Sequence, residues 1–408
     1  MQNPKEYAIS TLLWVLTIFN TIIFLVSRNE FWINHPGQAW LASGATQDRT
    51  YIASEFSRNL TCYQPLTCLR SGSAFIFESA IWIVGKLAEI STVDLNNSQR
   101  VFIILQAGTF WRLSTVLIFH LSLRAMLKNQ TYAFFLTNGL LVVLSGLPLW
   151  SLGRLITNLP FDFSSSVLER ANEAFFYMSY QDLIFYDYGF IALIPVAMLV
   201  LSSQKDFSQT SAPVLASIGF VLATFYEAFV PIVFLAGILF HFSQKQKINF
   251  KLGWLIFGQA VWTICRAFSL RFFEPSNPES PYFKDTSLGS ALYMFTSKET
   301  VSTQNSLPSI ATQLVLVSGV ALFAGSLCAI ILVRSKVIRN IETGTFAAIR
   351  AVSLATSIII CGGYLTPKLV ELGRQSLGLT VALVVYSFAA TCNFIDQRKL
   401  KLQRIFRS

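Results

Sequence analysis

Apolar residues fill most of the chain in blocks of about 20, and short polar or charged segments separate them. A helix that crosses the hydrocarbon core of a bilayer needs about that length. The pattern therefore predicts an all-α polytopic membrane protein. No small-residue cleavage site follows the first block, so we expect it to remain as a span. The blocks cover residues 7–26, 101–123, 132–152, 183–201, 252–270, 310–333, 346–364 and 377–394.

A further apolar block, 212–241, is too long for one ordinary span and short for two. Two short helices at 213–224 and 229–241, joined by a turn, are one interpretation. A single helix kinked at Pro231 is the other. Basic residues flank the block on both sides, which indicates that both flanks are cytoplasmic and favours two crossings. These basic residues are Lys205, Lys245, Lys247 and Lys251.

Two crossings at this block give about ten transmembrane helices, with both termini inside. The whole chain, 1–408, then forms a single transmembrane domain. The inner loops are short and basic, whereas the outer loops are long. The first outer loop has about 74 residues and contains an amphipathic stretch at 46–60 and an apolar segment at 73–87, which predict interfacial helices. The predicted outer loops are 27–100, 153–182, 271–309 and 365–376.

Composition agrees with this topology. Of the 408 residues, 53% are hydrophobic and 13% are charged, against about 25% charged in an average soluble domain. The net charge of +10 comes from the inner loops and from the basic segment at 397–407, so it indicates membrane orientation and not nucleic-acid binding. The short inner loops favour a bacterial inner membrane over the endoplasmic reticulum.

Acidic residues in the outer loops are the candidates for catalysis. Asp48 comes first, because it lies at the start of the amphipathic stretch at the membrane boundary and could act as a general base toward an acceptor hydroxyl. A carboxylate in the first turn of a helix is the structural alternative. The additional outer acids are Glu30, Asp162, Asp182 and Asp187.

Basic residues near the outer ends of the spans are candidate ligands for a phosphate, because a guanidinium matches phosphate oxygens. Each could equally extend along the helix end to reach water. Within the apolar blocks, Arg112 and Glu227 are intramembrane polar residues that could pair. The phosphate candidates are Arg154, Arg170, Arg266, Arg271 and Lys368.

The cysteines and histidines add little chemistry. Cys62 and Cys68 lie in the first outer loop, where an oxidising compartment would allow a disulfide, and the alternative of free thiols stays open. Three histidines, far apart in the sequence, show no ligand spacing, so we expect no metal site.

Several segments together resemble the GT-C superfamily of integral-membrane glycosyltransferases. The first outer loop contains Asp48-Arg-Thr-Tyr-Ile-Ala-Ser-Glu55, which is similar to an acid followed by a surface helix. Ser98-Gln-Arg-Val-Phe-Ile-Ile-Leu105 through Leu121-Ser-Leu-Arg124 is similar to that superfamily's second span. Residues 216–232 are similar to its short helical hairpin. The GT-C-like module covers 7–250, and 251–408 holds variable C-terminal helices.

This resemblance implies an inverting transfer of a sugar from a polyprenyl-phosphate carrier on the outer face. Asp48 would be the base, and a glycan, lipid or protein would be the acceptor. No cofactor is expected besides the lipid-linked donor, and the expected partners include membrane lipids. The chain departs from members that carry an acidic pair or Asp-x-Asp in this loop, and it has the Cys62/Cys68 turn. The alternatives are a lipid or solute transporter and a non-catalytic subunit of a cell-envelope polysaccharide assembly.

Overall fold

The described part of the chain is entirely helical. The computed structural model describes residues 11, 15, 116–144, 185–203, 211–225, 229–244, 253–262, 264, 307–334, 341–364 and 372–405. Within these ranges the helices are α1 (Val116–Leu127), α2 (Gln130–Leu144), α3 (Phe185–Ser202), α4 (Ala212–Phe225), α5 (Phe229–Gln244), α6 (253–262), α7 (Leu307–Arg334), α8 (Thr343–Tyr364) and α9 (Leu372–Ile405).

Each of these helices overlaps an apolar block of the sequence, and α9 extends beyond its block at both ends. The block at 212–241 contains two helices, α4 and α5, with bounds within three residues of those expected. Pro231 is the third residue of α5, a position in the first turn that tolerates proline. The interruption thus comes before Pro231, and residues 226–228 lie outside the described part.

A tight turn joins α1 to α2. Lys128 has a φ of 52°, a left-handed conformation that reverses the chain. The Asn129 side chain then accepts a hydrogen bond from the Tyr132 amide at 3.2 Å, which caps the N-terminus of α2. The two helices consequently run back along each other.

The centre of the bundle is formed by α8 and α9. α9 packs on α3, α7 and α8, and α8 packs on α3 and α5. The buried face of α8 consists largely of small side chains, among them Ala347, Ala348, Ala351 and Ala355. Small residues let helix backbones approach closely, as is common between membrane helices.

Large apolar side chains lie on the outer surface of the bundle. Phe323 on α7 is 69% exposed and Phe242 on α5 is 75% exposed. Exposed apolar positions recur at a helical spacing, which produces apolar stripes on the outside. This distribution is what helices in contact with lipid require. Further exposed examples are Leu117, Leu121, Val214, Ile218, Phe234, Ile238, Leu327, Ile330, Leu354 and Ile358.

Two of the described helices are long and apolar enough to cross a membrane. The segments are Thr343–Gly362 in α8 and Gly378–Arg398 in α9, and both are more than half buried. Shorter apolar helices in the described ranges include Val116–Leu127, Pro231–Ser243 and Ala321–Leu332. The ten crossings expected from the sequence extend over segments outside the described residues.

Candidate functional site

Of the predicted site residues, only Asp187 lies in the described part of the chain. It is the third residue of α3, where the helix dipole favours a negative charge. The other predicted residues lie outside the described residues: Glu30, Asp48, Cys62, Cys68, Arg112, Arg154, Arg170, Asp162, Asp182, Glu227, Arg266, Arg271 and Lys368.

The described bundle contains one buried imidazole, that of His120 on α1. Its Nδ1 lies 3.3 Å from the Oγ1 of Thr137 on α2, and its ring lies against the Phe134 ring, with a centroid distance of 4.2 Å and a tilt of 34° between the planes. The side chain is 6% exposed. The sequence analysis considered this histidine only as a metal ligand. Its contact with α2 could have been expected only if the pairing of α1 with α2 had been known.

The neighbouring hydrogen bonds favour one tautomer of this imidazole. The Thr137 hydroxyl lies 2.7 Å from the Ala133 carbonyl, to which it donates, so its oxygen is available to accept from His120. This arrangement favours a proton on Nδ1, and the contact joins α1 to α2.

A second polar seam joins the central helices. Ser353 on α8 donates to the Ala382 carbonyl on α9 at 3.1 Å, and Thr391 on α9 lies 3.5 Å from Ser326 on α7. Thr356, fully buried on α8, has no hydrogen-bond partner within the described part of the chain. Hydroxyl groups between membrane helices typically act as weak interhelical contacts. None of these groups is a nucleophile activated by an adjacent base.

Two turns meet at one end of the bundle. Lys128, between α1 and α2, forms an ion pair of 3.0 Å with Glu342, just before α8. Met126, Asn129, Tyr132 and Thr345 line a pocket of about 190 Å³ beside this pair. The pair is mostly exposed, at 71% and 66%, so it contributes little to stability. The ion pair shows that the turn between α1 and α2 lies beside the start of α8. The sequence predicts both segments for the inner side of the membrane.

The described interior provides no metal site. No group of three or more His, Cys, Asp or Glu side chains converges within the described ranges. Cys328 and Cys392 are buried, and together with Cys361 they are free thiols in this part of the chain.

Comparison with protein-family models, with curated proteins and with solved structures gave no match to this chain. The GT-C resemblance therefore depends on the residue patterns given above, and any assignment of activity is a proposal.

Proposed function

We propose that this chain is a membrane glycosyltransferase that moves a sugar from a polyprenyl-phosphate carrier to an acceptor on the outer, periplasmic or lumenal, face. The observation that carries the proposal is Asp48 in a first outer loop of about 74 residues (27–100), at the start of an amphipathic stretch. Loops of this length are usually either functional or disordered, and this one is not of low complexity. The acid has the expected place for a base at the membrane surface.

Two features of the bundle support a membrane setting for this chemistry. The outward faces of the described helices are apolar, which suits a substrate that is itself anchored in lipid. The short helices α4 and α5, of 14 and 16 residues, reach only about 21 and 24 Å at 1.5 Å per residue. Their lengths agree with the short hairpin of the resemblance, in which Glu227 would lie at the turn.

The proposed reaction is a single displacement. The Asp48 carboxylate takes the proton from an acceptor hydroxyl, and the acceptor oxygen forms a bond to the anomeric carbon of the sugar. The bond between that carbon and the phosphate oxygen breaks, and polyprenyl phosphate leaves with inversion. Cationic side chains from the set Arg154, Arg170, Arg266, Arg271 and Lys368 would stabilise the negative charge on the leaving phosphate.

The direct test is transfer from polyprenyl-phosphate hexoses in proteoliposomes that contain the full chain. We expect Asp48→Asn to lower transfer by about 100-fold or more, in line with the loss of a general base. Asp94→Asn is the matched control, because Asp94 lies in the same loop and has no role in the proposed reaction. Equal rates for Asp48→Asn and wild type would refute the assignment of the base.

Transport is a second candidate function, because α4 and α5 form an interrupted pair around Glu227. Interrupted helices beside an ionisable residue are frequent in secondary transporters. A transporter or flippase would be favoured by two results together: the wild type transfers no sugar, and substrate movement stops in both Glu227→Gln and Arg112→Gln. Function that tolerates changes at every outer acid would favour a non-catalytic subunit.

A further inference from the structure

Two helices begin at the pocket beside the Lys128–Glu342 ion pair. Lys128 and Asn129, which directly precede α2, line this pocket. Ile341 and Glu342, which directly precede α8, line it as well. The first amides of an α-helix have no acceptor within that helix, and its N-terminus carries a partial positive charge. The starts of α2 and α8 therefore bring positive potential to the same cavity.

A buried threonine also lines the pocket. Thr345, the third residue of α8, is 5% exposed. No hydrogen bond joins its hydroxyl to another residue in the described part of the chain. A hydroxyl that is shielded from bulk water and unpaired is costly, unless a molecule in the adjoining cavity bonds to it. This hydroxyl is the observation, separate from the two helix ends, that indicates a bound polar group.

The pocket offers charges of both signs. The Lys128 ammonium and the Glu342 carboxylate lie 3.0 Å apart and are mostly exposed, so their mutual attraction is weak. Each can therefore take a second partner at little cost. A ligand that carries both a phosphate and an ammonium group would satisfy all of these groups together. Its phosphate would bind Lys128 and the two helix N-termini, and its ammonium would bind Glu342.

The pocket lies where the apolar part of the helices ends. The apolar helix Val116–Leu127 ends beside it, and the apolar segment Thr343–Gly362 begins beside it. Met126 and Ile341 make part of the lining apolar. Its volume of about 190 Å³ corresponds to about six water molecules, which is below the roughly 300–1,000 Å³ of sites for drug-sized ligands. A lipid headgroup at the boundary between hydrocarbon and water fits both the position and the volume.

We propose that this pocket binds the phosphoethanolamine headgroup of a phospholipid in the leaflet at this end of the bundle, which the sequence predicts to be the inner leaflet. A primary ammonium donates hydrogen bonds to a carboxylate such as that of Glu342, whereas the choline group of phosphatidylcholine has no N–H to donate. Phosphatidylglycerol has the phosphate but no cation for Glu342. The inference depends on membrane insertion, which is part of the proposed function, and not on sugar transfer.

The test is native mass spectrometry of the full chain in detergent that contains equal amounts of phosphatidylethanolamine, phosphatidylcholine and phosphatidylglycerol. The wild type should retain phosphatidylethanolamine as its main single-lipid adduct. Thr345→Val should lower that adduct by about 10-fold, the effect of losing one hydrogen bond to a charged group, and Thr345→Ser should retain it. Thr356→Val is the matched control, because Thr356 is another buried threonine on α8 and does not line the pocket.

Two further variants separate the contacts of the phosphate from those of the ammonium. Glu342→Gln should lower phosphatidylethanolamine relative to phosphatidylglycerol by about 10-fold, because it removes the carboxylate that binds the ammonium. Lys128→Asn should lower the binding of both lipids, because it removes the cation that binds their phosphate. Asparagine tolerates the left-handed φ of 52° at this position, so the turn between α1 and α2 should persist.

Three results would overturn the inference: no preference of the wild type for phosphatidylethanolamine, an unchanged adduct in Thr345→Val, or equal losses in Thr345→Val and Thr356→Val. Free phosphoethanolamine in large excess distinguishes a lipid from a soluble ligand. Retention of the lipid adduct supports the lipid, and its displacement would overturn that assignment. Sugar transfer measured on the same variants separates the two proposals, since lipid preference can fail while transfer persists and the reverse.

Discussion

Gly325 on α7 offers the most stringent test of the helix packing. A Cβ atom at this position would overlap the Ser387 hydroxyl on α9, and it would lie 2.5 Å from the Val384 carbonyl oxygen. Gly319 is on the same helix, and a Cβ there would meet nothing within 4 Å. The substitutions Gly325→Ala and Gly319→Ala therefore add the same methyl group to two different environments.

The expected magnitude follows from this comparison. Alanine favours a helix over glycine by about 1 kcal/mol, and this gain applies at both positions. At Gly325 the methyl group also meets a backbone oxygen, which cannot rotate away, so α7 and α9 must separate. Overpacking of this kind costs about 1–3 kcal/mol. The Gly325→Ala protein should thus be less stable than the Gly319→Ala protein by about 1–3 kcal/mol.

The assay is the fraction of detergent-solubilised full-length protein that stays monodisperse after heating, measured over a temperature series. Gly325→Ala should lose the monodisperse peak at a lower temperature than wild type, and Gly319→Ala should match or exceed wild type. The double variant Gly325→Ala/Ser387→Gly should recover part of the loss, because two of the three close contacts involve the Ser387 side chain. Equal midpoints for the two alanine variants would refute the close approach of α7 and α9.

Three further predictions use the same heating assay. Gly258→Ala should lower the midpoint, because its Cβ would overlap the backbone of α4, whereas Gly253→Ala meets nothing within 4 Å and should not. Ser353→Ala should cost about 0.6 kcal/mol of stability, because it removes an interhelical hydrogen bond. Thr356→Val should be neutral or stabilising, because the Thr356 hydroxyl is unpaired in the described part. A Thr356→Val protein less stable than the Ser353→Ala protein would contradict both expectations. Thr137→Val should cost about 1 kcal/mol by removing the acceptor of the buried imidazole, and Thr137→Ser should not; a loss in Thr137→Ser without a loss in Thr137→Val would indicate that the methyl group matters instead.

The positions of the helices follow from the sequence because lipid imposes a simple rule. Backbone polar groups in hydrocarbon must pair within the segment, so a block of about 20 apolar residues has to be helical. For that reason α7 and α8 agree with their blocks to within a few residues. The two separate helices at Ala212–Phe225 and Phe229–Gln244 also agree with the division expected from the length of this block, whereas the two crossings inferred from its flanking charge stay a prediction.

Packing partners are much harder to predict, because composition looks the same on every side of an apolar helix. Nothing in the sequence distinguishes Gly325, which contacts α9, from Gly319, which faces outward. The partner of His120 is 17 residues away, across a turn that depends on the left-handed Lys128. The continuation of α9 through its basic segment was missed because charge marks the end of a span, not the end of a helix.

The distribution of polar groups also bears on the choice between the proposed functions. A transporter moves its substrate past ionisable groups near the centre of the bundle, whereas a glycosyltransferase of the proposed kind reacts at the membrane surface. In the described interior the buried polar side chains are mostly hydroxyl and amide groups, with one imidazole. Several of them bond to a backbone carbonyl of their own helix, and others join neighbouring helices. We therefore favour the hypothesis that the long outer loops supply the reactive groups, with Asp48 foremost. The comparison of Asp48→Asn with Glu227→Gln tests it. Loss of sugar transfer in Asp48→Asn alone supports the enzyme, and loss of substrate movement in Glu227→Gln alone supports the transporter.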